Sequence, residues 1–134
     1  MAENDQDKHL QELQEQMVGH DSVAITDEDG TEYVLRYPRS TVRAMETKGI
    51  TAQTAVQCFA DGTLTGAERF VESFFLPAFK AERPRTTKDE AIGIWCRVEG
   101  KQDLVAVLTI LFTQAVTSLV TDPTTGGRAK FRIV

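Results

Sequence analysis

A strand that runs directly into a capped helix is the feature that most constrains this 134-residue chain. The run from Tyr33 to Gly49 starts with alternating residues, meets Pro38 and continues at helical spacing. Proline cannot donate to a strand ladder, and a glycine at a helix end supplies the left-handed conformation that stops the helix. The Asp29-Gly30 pair just before this run is a strong hairpin signal. The order predicts a hairpin laid on a helical body.

The hairpin prediction fixes which strand face meets the core. We predict strands over 23–26 and 31–37, joined by a two-residue turn centred on Asp29 and Gly30. That turn pairs Ala24 with Leu35. Because side chains alternate along a strand, one face of the second strand, which we assign to the core, is formed by Tyr33, Leu35 and Tyr37.

Helical spacing predicts five helices after the hairpin. The first is capped by Ser40 or Thr41, and the others cover about 51–59, 65–81, 87–99 and 101–120. Pro77 lies inside the third pattern and predicts a kink or an early end there. The last helix is apolar nearly all round, which is typical of a central helix or of half an oligomer seam. Its apolar stretch, Leu104–Val120, is interrupted by polar residues and is shorter than the roughly 20 residues of a usual span, which favours a core helix over a membrane segment.

These elements predict an α+β fold. A small antiparallel sheet, made by the N-terminal hairpin and a C-terminal strand over Ala129–Val134, packs with about five helices. Residues 21–134 form one domain, and residues 1–20 are an acidic tail that we expect to be flexible or to order against a partner. The tail still permits a short amphipathic helix, because its apolar residues follow i, i+3, i+7 spacing: Leu10, Leu13 and Met17.

The charged and nucleophilic residues form no catalytic or metal-binding pattern. Both histidines, His9 and His20, lie in the acidic tail, away in sequence from Cys58 and Cys96, which we expect to be buried reduced thiols. The chain has no CxxC, HExxH or P-loop spacing. We therefore predict no catalytic, cofactor-binding or metal-binding residues and expect that the protein is not an enzyme. The polar N-terminus does not resemble a signal peptide, so we expect a cytoplasmic protein.

Surplus apolar helix surface instead predicts a protein partner. A stripe on the third helix and a face of the last helix supply it, with arginines at the rim, and the candidate partner-binding residues are Phe70, Phe74, Phe75, Phe79, Leu108, Leu111, Phe112, Arg83 and Arg85. The basic cluster over residues 80–88 is either a solvated loop or a docking surface for an acidic partner. Nucleic acid is disfavoured, because the net charge of residues 31–134 is only +3 and no aromatic residues are interleaved with the cluster.

The order of these motifs resembles a known family. The hairpin ends Tyr33-x-Leu-x-Tyr37 and continues x-Arg39-x-Thr-Val-x-x-Met45-Glu46-x-x-Gly49-Ile50; an aromatic-rich segment, a capped helix, an apolar helix and a short basic-apolar strand follow. Over about residues 23–134 this resembles small phage and prophage proteins similar to siphophage tail assembly chaperones.

The resemblance implies a non-enzymatic protein of the bacterial host cytoplasm. Such proteins bind the long apolar tape measure protein and keep it soluble until the tail tube assembles. The implied partner is a helical, apolar segment, which a helix-rich protein could hold in a groove. Two other classes stay open: a structural tail or head component that forms homo-oligomers, and a nucleic-acid-associated regulator.

Overall fold

The computed structural model describes residues 2–121 and 129–134, with side chains described from residue 7 onward. Its elements, in chain order, are α1 (Ala2–Met17), β1 (Ser22–Thr26), β2 (Glu32–Arg36), α2 (Arg39–Thr47), α3 (Ala52–Ala60), α4 (Leu64–Phe70), a π turn (Val71–Phe75), α5 (Leu76–Lys80), α6 (Lys88–Arg97) and α7 (Lys101–Val120). The α4 helix, the π turn and α5 form one continuous rod. The α+β prediction is confirmed: a two-stranded antiparallel sheet packs with helices.

The hairpin exists, but its register differs by one residue from the predicted one. Val23 lies opposite Leu35 and Ile25 opposite Tyr33. The loop is one residue longer than a type I′ turn. The backbone carbonyl of Asp27 accepts from the amide of Gly30, whose φ is 81°. The backbone amide of Asp27 donates to the carbonyl of Thr31. This is a type I turn followed by a left-handed glycine bulge.

The longer loop places the larger apolar residues on the buried side. A slip of one residue turns every side chain of a strand to the other face. In the observed register Val23 and Ile25 pack against the core, whereas Ala24 is exposed. The predicted core face of β2 is confirmed, since Leu35 and Tyr37 are buried there.

The two chain ends differ from the sequence expectations. Residues 129–134 form no strand and are exposed, so the predicted third strand is wrong for this fold. The segment expected to be flexible, or to order against a partner, contains α1, which lies along α7. Met17 is buried, and His9 Nε2 is 2.8 Å from Asp103 Oδ1. The α1 helix has little apolar surface of its own, and α7 supplies the apolar neighbour that it needs.

Local signals set several of the helix ends. Gly49 ends α2 with the double hydrogen-bond pattern of a Schellman motif, and the Thr87 hydroxyl accepts from the Glu90 amide at 3.2 Å. The predicted Ser40 or Thr41 cap is wrong: α2 begins at Arg39 with Pro38 at the N-cap position. The fixed φ of proline already suits a helix start, so no side-chain cap is required there.

Pro77 does not end its helix, which continues to Lys80. The backbone widens into the π turn before it, where the Leu76 amide donates to the Val71 carbonyl five residues back. The Tyr37 hydroxyl donates to the Phe74 carbonyl within this turn at 2.6 Å, in a fully buried position. The end of the hairpin is thus tied to the centre of the α4–α5 rod.

An aromatic cluster fills the core around this hydrogen bond. Phe74 packs on Phe70 and on Phe112, with ring centroids 5.4 Å and 5.6 Å apart. Trp95 of α6 lies 5.3 Å from Phe70 and 5.0 Å from Phe75. Such pairs add about 0.5–1.5 kcal/mol each beyond their buried area. The cluster therefore joins the hairpin, the rod, α6 and α7 into one core.

The α7 helix is long and apolar enough, by length and composition alone, to cross a membrane, a test that core helices of soluble proteins also pass. Leu108, Leu111 and Phe112 are buried in the core. Most other side chains of its first four turns are half-buried, and the last turn is exposed.

Replacing Tyr37 by phenylalanine should lower the free energy of unfolding by about 0.5–1.5 kcal/mol, because the buried hydrogen bond from its hydroxyl to the Phe74 carbonyl is lost. Urea denaturation measures the change. Tyr33→Phe is the control, since the Tyr33 hydroxyl donates only to the half-buried Asp27 carboxylate, at 3.2 Å. An equal loss in both variants would contradict the assigned importance of the buried bond.

Gly66→Ala and Gly93→Ala should change stability in opposite directions. A Cβ at Gly66 would lie 2.1 Å from the Cys58 carbonyl oxygen of α3, so the two helices would have to separate. A Cβ at Gly93, inside α6, meets nothing within 4 Å. Alanine there should stabilise by roughly 0.5–1 kcal/mol through helix propensity. Thermal unfolding of both variants checks the pair, and a stabilised Gly66→Ala protein would refute the close approach.

Candidate protein-binding surface

The seven apolar residues predicted to contact a partner all lie in the core. None of them exposes more than 3% of its surface, and the residues are Phe70, Phe74, Phe75, Phe79, Leu108, Leu111 and Phe112. The prediction that they form a partner-binding face is therefore wrong for this fold. Helical periodicity identified the apolar face correctly but could not show that other elements cover it.

The covering groups come from distant parts of the sequence. Phe79 packs on Tyr33 of β2 with ring centroids 5.2 Å apart. Phe112 meets the edge of the Tyr37 ring at 5.8 Å. These partners precede the phenylalanines by more than 40 and 70 residues, respectively, and no local pattern links them. The apolar helix faces interpreted as surplus surface therefore belong to the core.

The two predicted rim arginines remain outside the core, but they do not flank a binding face together. The Arg83 guanidinium lies 4.6 Å from the centre of the Tyr33 ring, in a cation–π contact, and Arg85 is exposed. Within the same basic cluster, Lys88 Nζ is 3.3 Å from Glu72 Oε2. An exposed pair of this kind contributes little to stability. Part of the cluster is thus engaged with the protein's own surface.

Large apolar side chains are exposed elsewhere, at the end of α7. Val116 exposes 42% of its surface, Leu119 71% and Val120 72%. A second exposed group lies on α3 and the start of α4, where Phe59 still packs on Phe70 with centroids 4.9 Å apart. That second group consists of Val56, Phe59 and Leu64. The end of α7 differs because its exposed residues border a groove.

The groove lies between α2 and the last turns of α7. Its lining, which defines the α2–α7 groove, consists of Arg39, Val42, Arg43, Glu46, Ala115, Val116, Leu119 and Val120. Val42 is buried at its base, whereas both arginines and Glu46 are exposed. The groove is apolar along α7 and predominantly basic along α2. Such a surface can bury apolar side chains and pair with acidic ones.

The sequence contained a signal for this surface. The α7 pattern is apolar on every face, which already indicated either a central helix or half of an interface. The core uses Leu108, Leu111 and Phe112, all in the middle of the helix. The last turn has no such role among the described residues, so its valines and leucine are left at the surface.

The two thiols differ in burial. Cys58 is buried, and burial raises the pKa of its thiol despite the opposing charge of Arg69. Cys96 is exposed, so the expectation of two buried thiols is wrong for this one; both are free. Over the described residues, no group of three or more His, Cys, Asp or Glu side chains is placed to hold a metal ion.

The Asp27 carboxylate is the main electrostatic feature of the hairpin. Desolvation raises its pKa, but the amides of Thr31 and Asp29 and the Tyr33 hydroxyl donate to it, and Arg97 adds a favourable charge, so that the pKa falls below its ordinary value. The charged form is therefore the one that holds the turn. A group with a lowered pKa contributes stability above its unfolded-state pKa and loses it as the pH falls.

Asp27→Asn should flatten the acid limb of the stability curve. In the native protein this contribution is complete above the ordinary pKa of 3.8 and disappears as the pH falls through the lowered folded-state value. Urea denaturation from neutral to strongly acidic pH measures the difference between the two proteins. Asp29→Asn, which removes a neighbouring carboxylate at the exposed tip, is the control. The assignment fails if Asp29→Asn flattens the curve as much.

Comparison with protein-family models finds a match over nearly the whole chain. A family model described as "Domain of unknown function (DUF5055)" matches residues 5–133, which is nearly the whole chain and includes most of α1. No curated protein and no solved structure matches the sequence.

Proposed function

The chain belongs to the DUF5055 family, and we propose that it is a non-enzymatic protein that binds an apolar helical segment of another protein. The proposed site is the α2–α7 groove with the exposed last turn of α7. The buried phenylalanine face has no part in it.

The observation on which the proposal depends is the exposure of large apolar residues beside the groove. Leu119 and Val120 expose 71% and 72% of their surfaces, on a helix whose middle is packed in the core. Burying one such side chain fully contributes about 1.5–3 kcal/mol to binding. A rigid helix that leaves its last turn open offers this area with little ordering cost on its own side.

The shape and charge of the groove favour a helix as the occupant. An amphipathic helix can place an apolar stripe into a groove between two helices. Arg39 and Arg43 lie four residues apart on α2, on the same face, and line one side of the groove. Acidic residues flanking the apolar stripe of the partner would pair with them and fix its orientation.

The resemblance noted from the sequence supports a specific partner. In that setting the bound segment belongs to a long, apolar, helical tape measure protein, held soluble in the host cytoplasm during tail assembly. The exposed apolar groove is compatible with such a task, since an assembly chaperone must hold its client weakly enough to release it. A binding role for this groove does not depend on the phage assignment.

Leu119→Glu should reduce partner capture by tenfold or more, because a carboxylate replaces an apolar contact; a tenfold change corresponds to about 1.4 kcal/mol. The test is co-expression with the longest helix-rich reading frame encoded beside this one, followed by pull-down. Leu64→Glu is the matched control: Leu64 is 76% exposed but lies on α4, away from the groove. Equal capture by both variants and the native protein would rule out the groove as the site.

An oligomerising structural component of a tail or head is the second candidate. It is favoured by the exposed apolar residues of the C-terminal segment, Phe131 at 93% and Ile133 at 95%. Discrete rings or tubes formed by the protein alone would support this role over the chaperone role.

A further inference from the structure

The outer edge of β1 is open. The sheet has two strands, and β1 pairs only with β2 among the described residues. Asp27, just after β1, directs its amide to the carbonyl of Thr31, just before β2. Along an antiparallel strand, residues alternately direct their backbone amide and carbonyl toward the paired strand and away from it. Ala24 and Thr26 therefore direct their amides and carbonyls away from β2. Their amides and carbonyls form no hydrogen bond with another described part of the chain.

A groove runs along this open edge. One wall is β1 with the hairpin tip, and the other is the end of α6 with the start of α7; the lining residues used below are Ala24, Thr26, Ile94, Glu99 and Leu104. Ile94 and Leu104 are half-buried and pack against the core on one side only. An open strand edge beside apolar side chains is the geometry that accepts an added strand.

The charges that line the groove are predominantly acidic. They are the carboxylates of Asp27, Glu28 and Glu99 against the single guanidinium of Arg97. An added strand should therefore alternate apolar and basic residues. Its apolar residues would face Ile94 and Leu104, and its basic residues would point toward the outer face near the hairpin tip.

The C-terminal segment, residues 129–134, has this pattern. Phe131 and Ile133 alternate with Lys130 and Arg132. All six residues are exposed and in no helix or strand. The segment thus has the alternation of a strand and large apolar side chains without a strand partner.

The open edge of β1 and the point where the chain leaves α7 lie toward opposite ends of that helix. Leu104 borders the β1 groove, and Val120 is 16 residues further along the helix, which corresponds to about 24 Å. To reach its own β1, the chain after Val120 would have to run back over most of its extended length, at about 3.3 Å per residue. A second copy placed end to end requires no such return.

We propose that the C-terminal segment of one copy adds as a strand to the open edge of β1 in a second copy. The contact joins two different surfaces, so each copy can donate and accept at once. Such a head-to-tail interface produces rings if it closes and filaments if it does not.

Two full-length variants separate donor from acceptor. Phe131→Asp combined with Ile133→Asp removes the donor, and both sites are exposed, so the core is untouched. Ala24→Pro removes an outward amide from the acceptor edge without breaking a bond to β2. Ala24→Thr keeps that amide and is the matched control.

Light scattering across a concentration series gives the decision. We expect the native protein and Ala24→Thr to form larger species as concentration rises and each blocked variant to be monomeric. An equimolar mixture of the two blocked variants should give a one-to-one dimer, since one copy can still donate and the other still accept. Should Ala24→Pro not fold, the donor variant alone decides.

Several outcomes would overturn the proposal. A native protein that stays monomeric throughout, oligomers that both variants leave unchanged, or a mixture that gives no dimer would each do so. Hydrogen exchange tests whether the C-terminal segment instead binds β1 of its own copy. In that case the amides of the segment would be protected in a monomer, and Ala24→Pro would remove the protection.

Discussion

The hydrogen bond from Tyr37 to the Phe74 carbonyl is the interaction on which the rest of the structure depends. It joins the last residue of the hairpin region to a π turn, at a distance of 2.6 Å and out of contact with water. A buried hydroxyl left without an acceptor is costly, so this bond favours one placement of the hairpin on the rod. Burial also raises the pKa of the Tyr37 hydroxyl far above its ordinary value, which keeps it a donor throughout the physiological range. Around this bond the aromatic rings of four elements pack, and α7 takes its position from them.

This use of the phenylalanines determines where function can reside. The phenylalanines that resemble a binding stripe in the sequence are buried in the core. A domain of this size must bury its largest apolar side chains to be stable. What remains for partners is apolar surface that the core does not reach: the last turn of α7, the exposed pair on α3 and the C-terminal segment. The chemistry of these places differs. The α7 surface lies beside arginines, whereas the open edge of β1 lies beside carboxylates, so the two would select partners of opposite charge.

The sequence predicted local features well and long-range ones poorly. Gly49 and Thr87 specify helix ends through bonds within a few residues, and the predicted helix end at Gly49 is confirmed. The core face of β2 follows from the two-residue period alone. The hairpin register failed because the Asp27 side chain caps a three-residue loop, and an Asp-Gly pair does not reveal which loop length it serves. The choice was still decidable, since only the observed register turns Val23 and Ile25 inward. The binding face failed for a different reason: periodicity shows that a face is apolar and cannot show what covers it.

The π turn keeps three pairs of buried residues, spaced four residues apart, on the same face of the α4–α5 rod. In a regular helix pairs with this spacing would rotate away from a common face. The buried pairs are Phe70 with Val71, Phe74 with Phe75, and Ala78 with Phe79. A regular α-helix advances 100° per residue, so two steps of four residues would rotate the last pair by about 80° relative to the first. The wider turn unwinds the helix and cancels much of that drift. The rod therefore presents one aromatic face to Tyr33, Tyr37 and Trp95. The four-residue spacing of the buried pairs in the sequence reflects this single face.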